Sequence, residues 1–550
     1  MHAKFIILIL FIAQFNFTSA QQYSSLVDTK IGSKGKGLAC GYNFIGATYP
    51  FGMVQFTPTF FSPRKGFVIT QLNGAGCSNL GNFPILPISG IVEKSPNDMN
   101  SFEKYEKVEI AKAGHLALKM KEDIDVDLTV TKRSGIGKFN FNNSKYGTLI
   151  IGTGINSSPP ESIKEAFVKI TSPYSCEGYT RGGDFCGTES DYKIYFAAEF
   201  NRPSKFNGTW KGEKLSNKKS SYGKNSGAYF TFETNEIGKI DYRIAISFVS
   251  IENAKENLKN EEKHLTFEDY QKETSAEWDK YLSKIKIKSK NGDRIKQFYT
   301  HFYHSLIHPN IVSDVNGEYM GADFKVQKTK ENREQYSSFS VWDTYRTQGQ
   351  LIAILFPKKS SDMMQSLVDF AEQAGGYGRW ILANIETGIM QGDPTPILIS
   401  NSFAFGGDNF DIKSAYRYMK KGALIPRQYS QKQEIRPYLE EYINNGHTFA
   451  SMSLEYASSD FAIAQFALNA LSNKEDYWYF KNRSQNWKNN YNVSTKWLNS
   501  KFPNGVWKDK THDWREGTYK NYFWMVPHNL NKLIDTIGGA RFAEKRLDSL

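Results

Sequence analysis

Cysteine is scarce in this chain, with 4 among 550 residues, at positions 40, 77, 176 and 186. Their spacings match no zinc site, so a structural metal clip is excluded. No stretch, the N-terminal one included, reaches the run of about 18 apolar residues that a membrane-spanning helix needs. Long basic runs are lacking too. The formal charge of +12 is spread through Lys and Arg interleaved with Asp and Glu. That pattern describes a solvated lysine-rich surface, not a nucleic-acid footprint. No Gly-Lys-Ser/Thr ending follows the Gly35–Gly41 segment, which argues against a nucleotide P-loop. Short-period solenoid repeats are absent as well. What is abundant is aromatic: 10 Trp, 31 Tyr and 39 Phe make up 15% of the chain. Most such rings build cores, and some could stack on sugar faces in a groove.

The first residues read as an export signal. Lys4 supplies the positive end, Phe5 to Ala13 a short apolar stretch, and Thr18-Ser19-Ala20 a small-residue cleavage site. Residues 1–20 are therefore expected to be removed, leaving Gln21 as the mature start of a secreted or periplasmic protein. Export permits disulfides. Cys176 and Cys186 flank a turn-rich segment and are expected to pair locally. Cys40 and Cys77 sit in two Gly-rich loops and could pair or stay free.

At 550 residues the chain is long enough for two or three domains of roughly 150–250 residues each, so its cores need no staple. Its two halves differ. Residues 21–260 carry short alternating segments, such as Ile124-Asp125-Val126-Asp127-Leu128-Thr129-Val130, separated by Asn/Gly turns; these predict a β-sandwich. Residues 261–290 read as a charge-laced helical linker. From 291 to 550 helical patterns dominate: 294–308, 342–355, 360–373, 396–405, 413–421, 453–471, 474–488 and 530–537.

Several places could carry chemistry. The loops 35–47 and 73–82 are glycine-rich and would let backbone approach a ligand closely. Asp343 and Arg346 lie at i and i+3 on a predicted helix, where they could pair with each other or, beside Trp342, grip sugar hydroxyls. Asp393 before Pro394 reads as a helix N-cap. Glu516 stands in an aromatic patch, Trp514 to Trp524. Desolvation there would raise its pKa, as a general acid requires. Solvent exposure is the plainer alternative.

These blocks occur in an order that resembles glycoside hydrolase family 92. The resemblance rests on Val27-Asp28-Thr29-Lys30-Ile31-Gly32, Phe44 to Gln55, and Leu72 to Cys77 with Pro84-Ile85-Leu86-Pro87. It continues through Phe302 to Leu306, Phe339 to Arg346, Leu454-Glu455-Tyr456-Ala457 with Asp460, and Arg515-Glu516-Gly517 with Trp524 to His528. It implies a β plus α architecture: an N-terminal β-supersandwich (galactose-mutarotase-like), a helical linker, and a C-terminal (α/α)6 toroid. It also implies a calcium-dependent (Ca2+), inverting exo-α-mannosidase, α-1,2 in preference, acting on mannose-containing glycans. Glu516 falls on the family's catalytic acid. Trp342, Asp343, Arg346, Phe44 and Cys77 fall where the family contacts substrate.

Two departures stand out. Thr518-Tyr519-Lys520-Asn521 replaces the family's Asn-Ala-Trp-Gln after Glu516-Gly517. The family's carboxylate-rich general-base segment is expected beyond Leu550, so the toroid is expected to be incomplete at the C-terminus. The alternative function is a non-catalytic carbohydrate-binding protein of the same fold.

Overall fold

The protein's structure, a computed structural model, describes residues 22–34, 41–58, 66–77, 79–96, 105–155, 162–330, 332–502 and 504–550, the side chains of 105, 106 and 189 excepted. The expected export signal at 1–20, its expected cleavage point and the segment Gly35 to Cys40 lie outside these residues.

Alternation makes the first half a sandwich of two sheets. An eight-stranded sheet has the spatial order Ala47–Thr48, Gln55–Pro58, Phe67–Val68, Ile85–Ser89, Tyr146–Gly152, Ser226–Glu233, Phe206–Lys211 and Lys214–Ser216. A nine-stranded sheet runs Ser220–Tyr222, Ile163–Ser172, Ser175–Phe185, Thr188–Phe200, Lys239–Ser247, Ser134–Phe141, Ile124–Val130, His115–Met120 and Tyr105–Lys112. Neighbouring strands pair antiparallel. In Ile124–Val130 the apolar residues Ile124, Val126 and Leu128 are buried and Asp125 and Asp127 face outward, as the period of two requires. The two inner faces meet through rings: Phe200 of the nine-stranded sheet lies 4.7 Å from Phe230 of the eight-stranded one.

The sandwich strands end at Ser247, and three capped helices lead away: α1 (Ile251–Asn260), α2 (Phe267–Leu282) and α3 (Gly292–His304). Ser250, Thr266 and Asn291 each accept a backbone N–H of the first turn through the side chain, which satisfies donors that a helix start leaves open. Trp278 of α2 is fully buried. Its indole donates to the Thr48 carbonyl at 2.7 Å and its ring lies 4.5 Å from Tyr303 of α3, so α2 is wedged between sandwich and helices. A polar seam adds to this wedge. Asp314 accepts from Ser247 (2.6 Å), Asn253 (2.9 Å) and Asn257 (2.7 Å), and Glu334 takes both Lys132 and Lys359 at 2.7 Å.

The second half is helical: α4 (Val341–Thr344), α5 (Gln348–Leu355), α6 (Pro357–Ala374), α7 (Thr395–Ala404), α8 (Ile412–Leu424), α9 (Leu439–Asn445), α10 (Ala450–Leu471), α11 (Lys474–Arg483), α12 (Tyr519–Tyr522), α13 (Leu530–Ile537) and α14 (Ala540–Leu547). α10 is the hub, buried on nearly every side and packed on α7, α8 and α11. Its Ala and Ser residues allow that closeness. Among the described residues no helix is long and apolar enough to cross a membrane.

Two sequence expectations are corrected here. The predicted helix 342–355 breaks at Tyr345–Thr347. Adjacent residues of an unbroken helix point about 100° apart, yet Tyr345 and Arg346 both reach Glu455 of α10. The break makes that convergence possible. The expected Cys176–Cys186 pair does not form: the disulfide joins Cys77 to Cys186, and Cys176 is a buried free thiol. Residues 175–185 are one strand, so at about 3.3 Å per residue the two ends stand roughly 30 Å apart.

The disulfide closes a separation of 109 residues. Replacing Cys186 by Ser should lower stability by about 2–4 kcal/mol, read as an earlier urea midpoint. Cys176 should react with a thiol reagent only after unfolding, because burial pushes its thiol pKa well up and shields it from reagent. Rapid labelling of native Cys176 would contradict this placement.

Candidate active site

The break between α4 and α5 sets Trp342 and Arg346 on one side of a cavity of about 320 Å³; Arg515, Glu516, Tyr522 and Trp524 close the other. Three of the residues singled out in the sequence thus converge: Trp342, Arg346 and Glu516. The Arg346 guanidinium stacks 4.7 Å from the Trp342 ring and 4.8 Å from Tyr345. Asp343 does not pair with Arg346. It is exposed and accepts from the Ser340 hydroxyl at the start of α4.

What holds this arrangement is Glu455, which the sequence reading treated only as part of a motif. Its side chain has no solvent exposure. Oε1 accepts from Trp342 Nε1 (3.1 Å) and Tyr522 OH (2.8 Å), Oε2 accepts from Tyr345 OH (3.0 Å), and Arg346 Nη2 lies 3.5 Å from Oε1. Burial raises the Glu455 pKa, and Arg346 and the three donors oppose that rise. A single carboxylate therefore orients three residues that line the cavity. Two acids, Glu455 and Asp460, in the otherwise Ala/Ser/Leu-rich run 450–471 were the available signal.

Of the two readings of Glu516, the structure shows the plainer, exposed one. Its side chain is exposed and its backbone φ is +49°, left-handed for a residue with a Cβ. Conformations of this kind cluster at ligand-binding sites. The unusual Thr518 to Asn521 segment has a local purpose. Thr518 and Asn521 form a capping box at the start of α12, which directs Tyr522 to Glu455.

Asp393 is not an N-cap. It is buried and accepts from Arg436 Nε at 2.8 Å. Arg436 also donates to Asp460 (2.7 Å), which Arg483 grips with two donors at 2.7 Å. Burial opposes ionisation of Asp460, but Arg483 and Arg436 outweigh it and hold its pKa low.

The sandwich loops approach the cavity indirectly. Phe44 is buried and its N–H donates to Asn73 Oδ1 at 3.1 Å. The Asn73 N–H donates to His308 Nε2 at 2.8 Å, and the His308 carbonyl accepts from Gln348, two residues past Arg346. Cys77 is held through Cys186, and neighbouring Phe185 lies 4.5 Å from Trp380. The carbonyl of Arg379, next to Trp380, accepts from the Trp342 N–H (3.4 Å). Phe44 and Cys77 are thus each three links removed from the lining or its flank, and neither lines the cavity.

His308 gives a pH prediction. Burial lowers its pKa from 6.5 to about 4, with Asn310 opposing. An unfolded histidine takes a proton near 6.5 and this one resists to about 4, so the unfolded state gains as pH falls through that window. Stability is fully present above pH 6.5 and declines toward pH 4, by about 3 kcal/mol for this group. His308→Gln keeps an acceptor and should flatten the wild-type melting curve between those pH values. An unchanged slope would remove His308 from the account.

A calcium ion takes six to eight oxygens, several of them carboxylate. Among the described residues no three His, Cys, Asp or Glu converge as a metal site, and the cavity sets its one lining carboxylate beside two guanidinium groups. These residues do not fit the ion, and no step is routed through it.

A β-sandwich is thus docked on a helical domain that holds an aromatic and arginine-lined cavity with an exposed carboxyl. The family model described as glycosyl hydrolase family 92 N-terminal domain matches residues 26–247, and that of the family 92 catalytic domain matches residues 253–550. The chain belongs to glycosyl hydrolase family 92. A family 92 α-mannosidase of Bacteroides thetaiotaomicron, solved also with mannoimidazole, shares the fold at a TM-score of 0.86 and 24% identity, over 96% of this chain and 74% of that one. A family 92 inverting mannosidase of the same organism superposes at 0.83 with 20% identity, over the same shares. An uncharacterized secreted glycosidase of Arthroderma benhamiae is 23% identical, over 93% of this chain and 72% of its own.

Proposed function

We propose that this protein is an exported exo-α-mannosidase that removes terminal α-linked mannose with inversion, with α-1,2-mannobiose as a first substrate to test. The observation that carries the reading is the convergence of Trp342, Arg346 and Glu516 in one cavity of a family 92 chain. Trp342 offers a ring to the apolar face of the sugar. Arg346, aligned by Glu455, donates to its hydroxyls. Glu516 gives its proton to the glycosidic oxygen as the bond breaks. Solvent reaches Glu516 in the free protein, and a bound glycan would exclude that water from the site.

Inversion needs a second carboxylate about 6.5–9.5 Å away to activate water on the other sugar face. Among the described residues Glu516 is the only carboxylate lining the cavity, and Glu455 is shielded beneath it. The base is therefore assigned to a carboxylate that these residues do not bring to the cavity. The same observation favours the second reading, a carbohydrate-binding protein without turnover.

The deciding experiment gives the 550-residue chain α-1,2-mannobiose and an aryl α-mannoside, with and without added calcium. Turnover with inverted product supports the enzyme. Mannoside binding without turnover establishes the binder, and dependence of either on calcium reads the metal requirement directly.

A further inference from the structure

A second, larger cleft of about 910 Å³ opens between the two domains, within the ~300–1,000 Å³ typical of small-molecule sites. The sandwich contributes strands Ser175–Phe185 and Thr188–Phe200. The helical domain contributes the hairpin formed by Ile381–Leu382 and Ile385–Glu386, together with the turns at 321–325 and 431–433. Tyr192 and Phe248, with ring centroids 6.4 Å apart, form apolar lining, and Phe324 presents its ring to solvent, 64% exposed.

Three lining residues with side chains hold left-handed backbone: Phe324 at φ +62°, Ala383 at +49° and Gln431 at +51°. Such conformations cost free energy and persist where surroundings enforce them, often at ligand clamps. The enforcement is visible at Gln431. Its amide donates to the carbonyls of Ala322 (2.9 Å) and Asn384 (3.1 Å), and its oxygen accepts the Glu386 N–H (2.9 Å). One side chain thus ties three wall segments, and the cleft is pre-formed.

Most of the wall's charges are answered within the protein, while Asp323 accepts from the Gln327 amide (3.1 Å) and Lys432 is exposed. Asp191 is gripped by Arg181 (3.1 Å) and Lys164 (3.0 Å), Lys193 lies 3.5 Å from Glu165, and Glu386 accepts the N–H groups of Arg379 and Gly388. A wall so balanced suits an uncharged ligand with polar edges and an apolar face. Glu386 also couples this cleft to the active-site cavity, because Arg379 accepts the Trp342 N–H through its carbonyl.

We propose that this cleft is a second carbohydrate-binding site, which takes a neutral manno-oligosaccharide segment with one sugar face on Phe324. The proposal rests on the mannose-glycan reading above. The site would hold a distal part of the glycan, or a neighbouring chain, beside the catalytic cavity.

The test is isothermal titration of the full chain with α-1,2-mannotriose. Trp342→Ala should remove binding at the Glu516 cavity and leave one binding event. Adding Phe324→Ala to that variant should weaken the remaining event about tenfold or more, as for one lost ring contact. The melting temperature should not fall, because the ring is exposed. Phe324→Ala alone should leave turnover of an aryl α-mannoside unchanged. Loss of all binding in Trp342→Ala, or undiminished binding in the double variant, would overturn the second site. Absence of aryl mannoside turnover would count against the mannosidase reading alone, since the titration does not depend on it.

Discussion

Glu516→Gln should lower turnover of α-1,2-mannobiose on the order of 10²–10⁴-fold, measured in a polypeptide that shows mannosidase turnover. Gln keeps the shape and hydrogen-bonding reach of Glu516 but has no proton to give the departing alkoxide. An aryl α-mannoside with a low-pKa phenol needs little protonation to leave and should lose far less. The side chain is exposed and already tolerates its left-handed backbone, so circular dichroism and melting should match the parent. Binding of a mannoside inhibitor should change little. Equal losses on both substrates would mean that Glu516 positions the sugar and that the proton comes from elsewhere.

Removing Glu455 should be the most damaging single change for the integrity of the cavity. Glu455→Ala leaves three donors, those of Trp342, Tyr345 and Tyr522, without their acceptor and Arg346 without its counter-ion. Breaking a buried charged pair by deleting one partner costs about 3–5 kcal/mol, seen as a lower denaturant midpoint. Such a loss alone would also fit a merely structural acid, so Glu455→Gln is the informative variant. It keeps the volume and one carbonyl acceptor, and should cost about 1–3 kcal/mol. Arg346 loses its anchor in this variant, so mannoside binding should weaken while the protein stays folded. Unchanged mannoside affinity in folded Glu455→Gln would confine Glu455 to a structural role.

The division between strands and helices was legible because periodicity is local. Alternation in 124–130 and the helical runs 360–373 and 453–471 each state their own geometry within a few residues, and the structure has Pro357–Ala374 and Ala450–Leu471 as helices. The expected export signal rests on an equally local pattern and lies outside the described residues. The candidate site was legible in another way. Trp342, Arg346 and Glu516 were grouped by resemblance to a family, since no spacing rule relates positions some 170 residues apart.

Only the tertiary structure decided which distant groups meet. Cys77 pairs with Cys186, because a continuous strand carries Cys186 away from Cys176 and up to the loop bearing Cys77. Asp393, a plausible cap by its neighbour Pro394, is claimed instead by Arg436 from a later loop. Glu455 became the organiser of the cavity because α10 is buried on nearly all sides, so an acid there must find donors, and the broken segment Val341 to Leu355 supplies three of its four partners. Sequence pattern reports the period with which a segment meets water or core. Which partner satisfies a buried charge depends on chain topology and close packing, and these exist only once the two domains have docked.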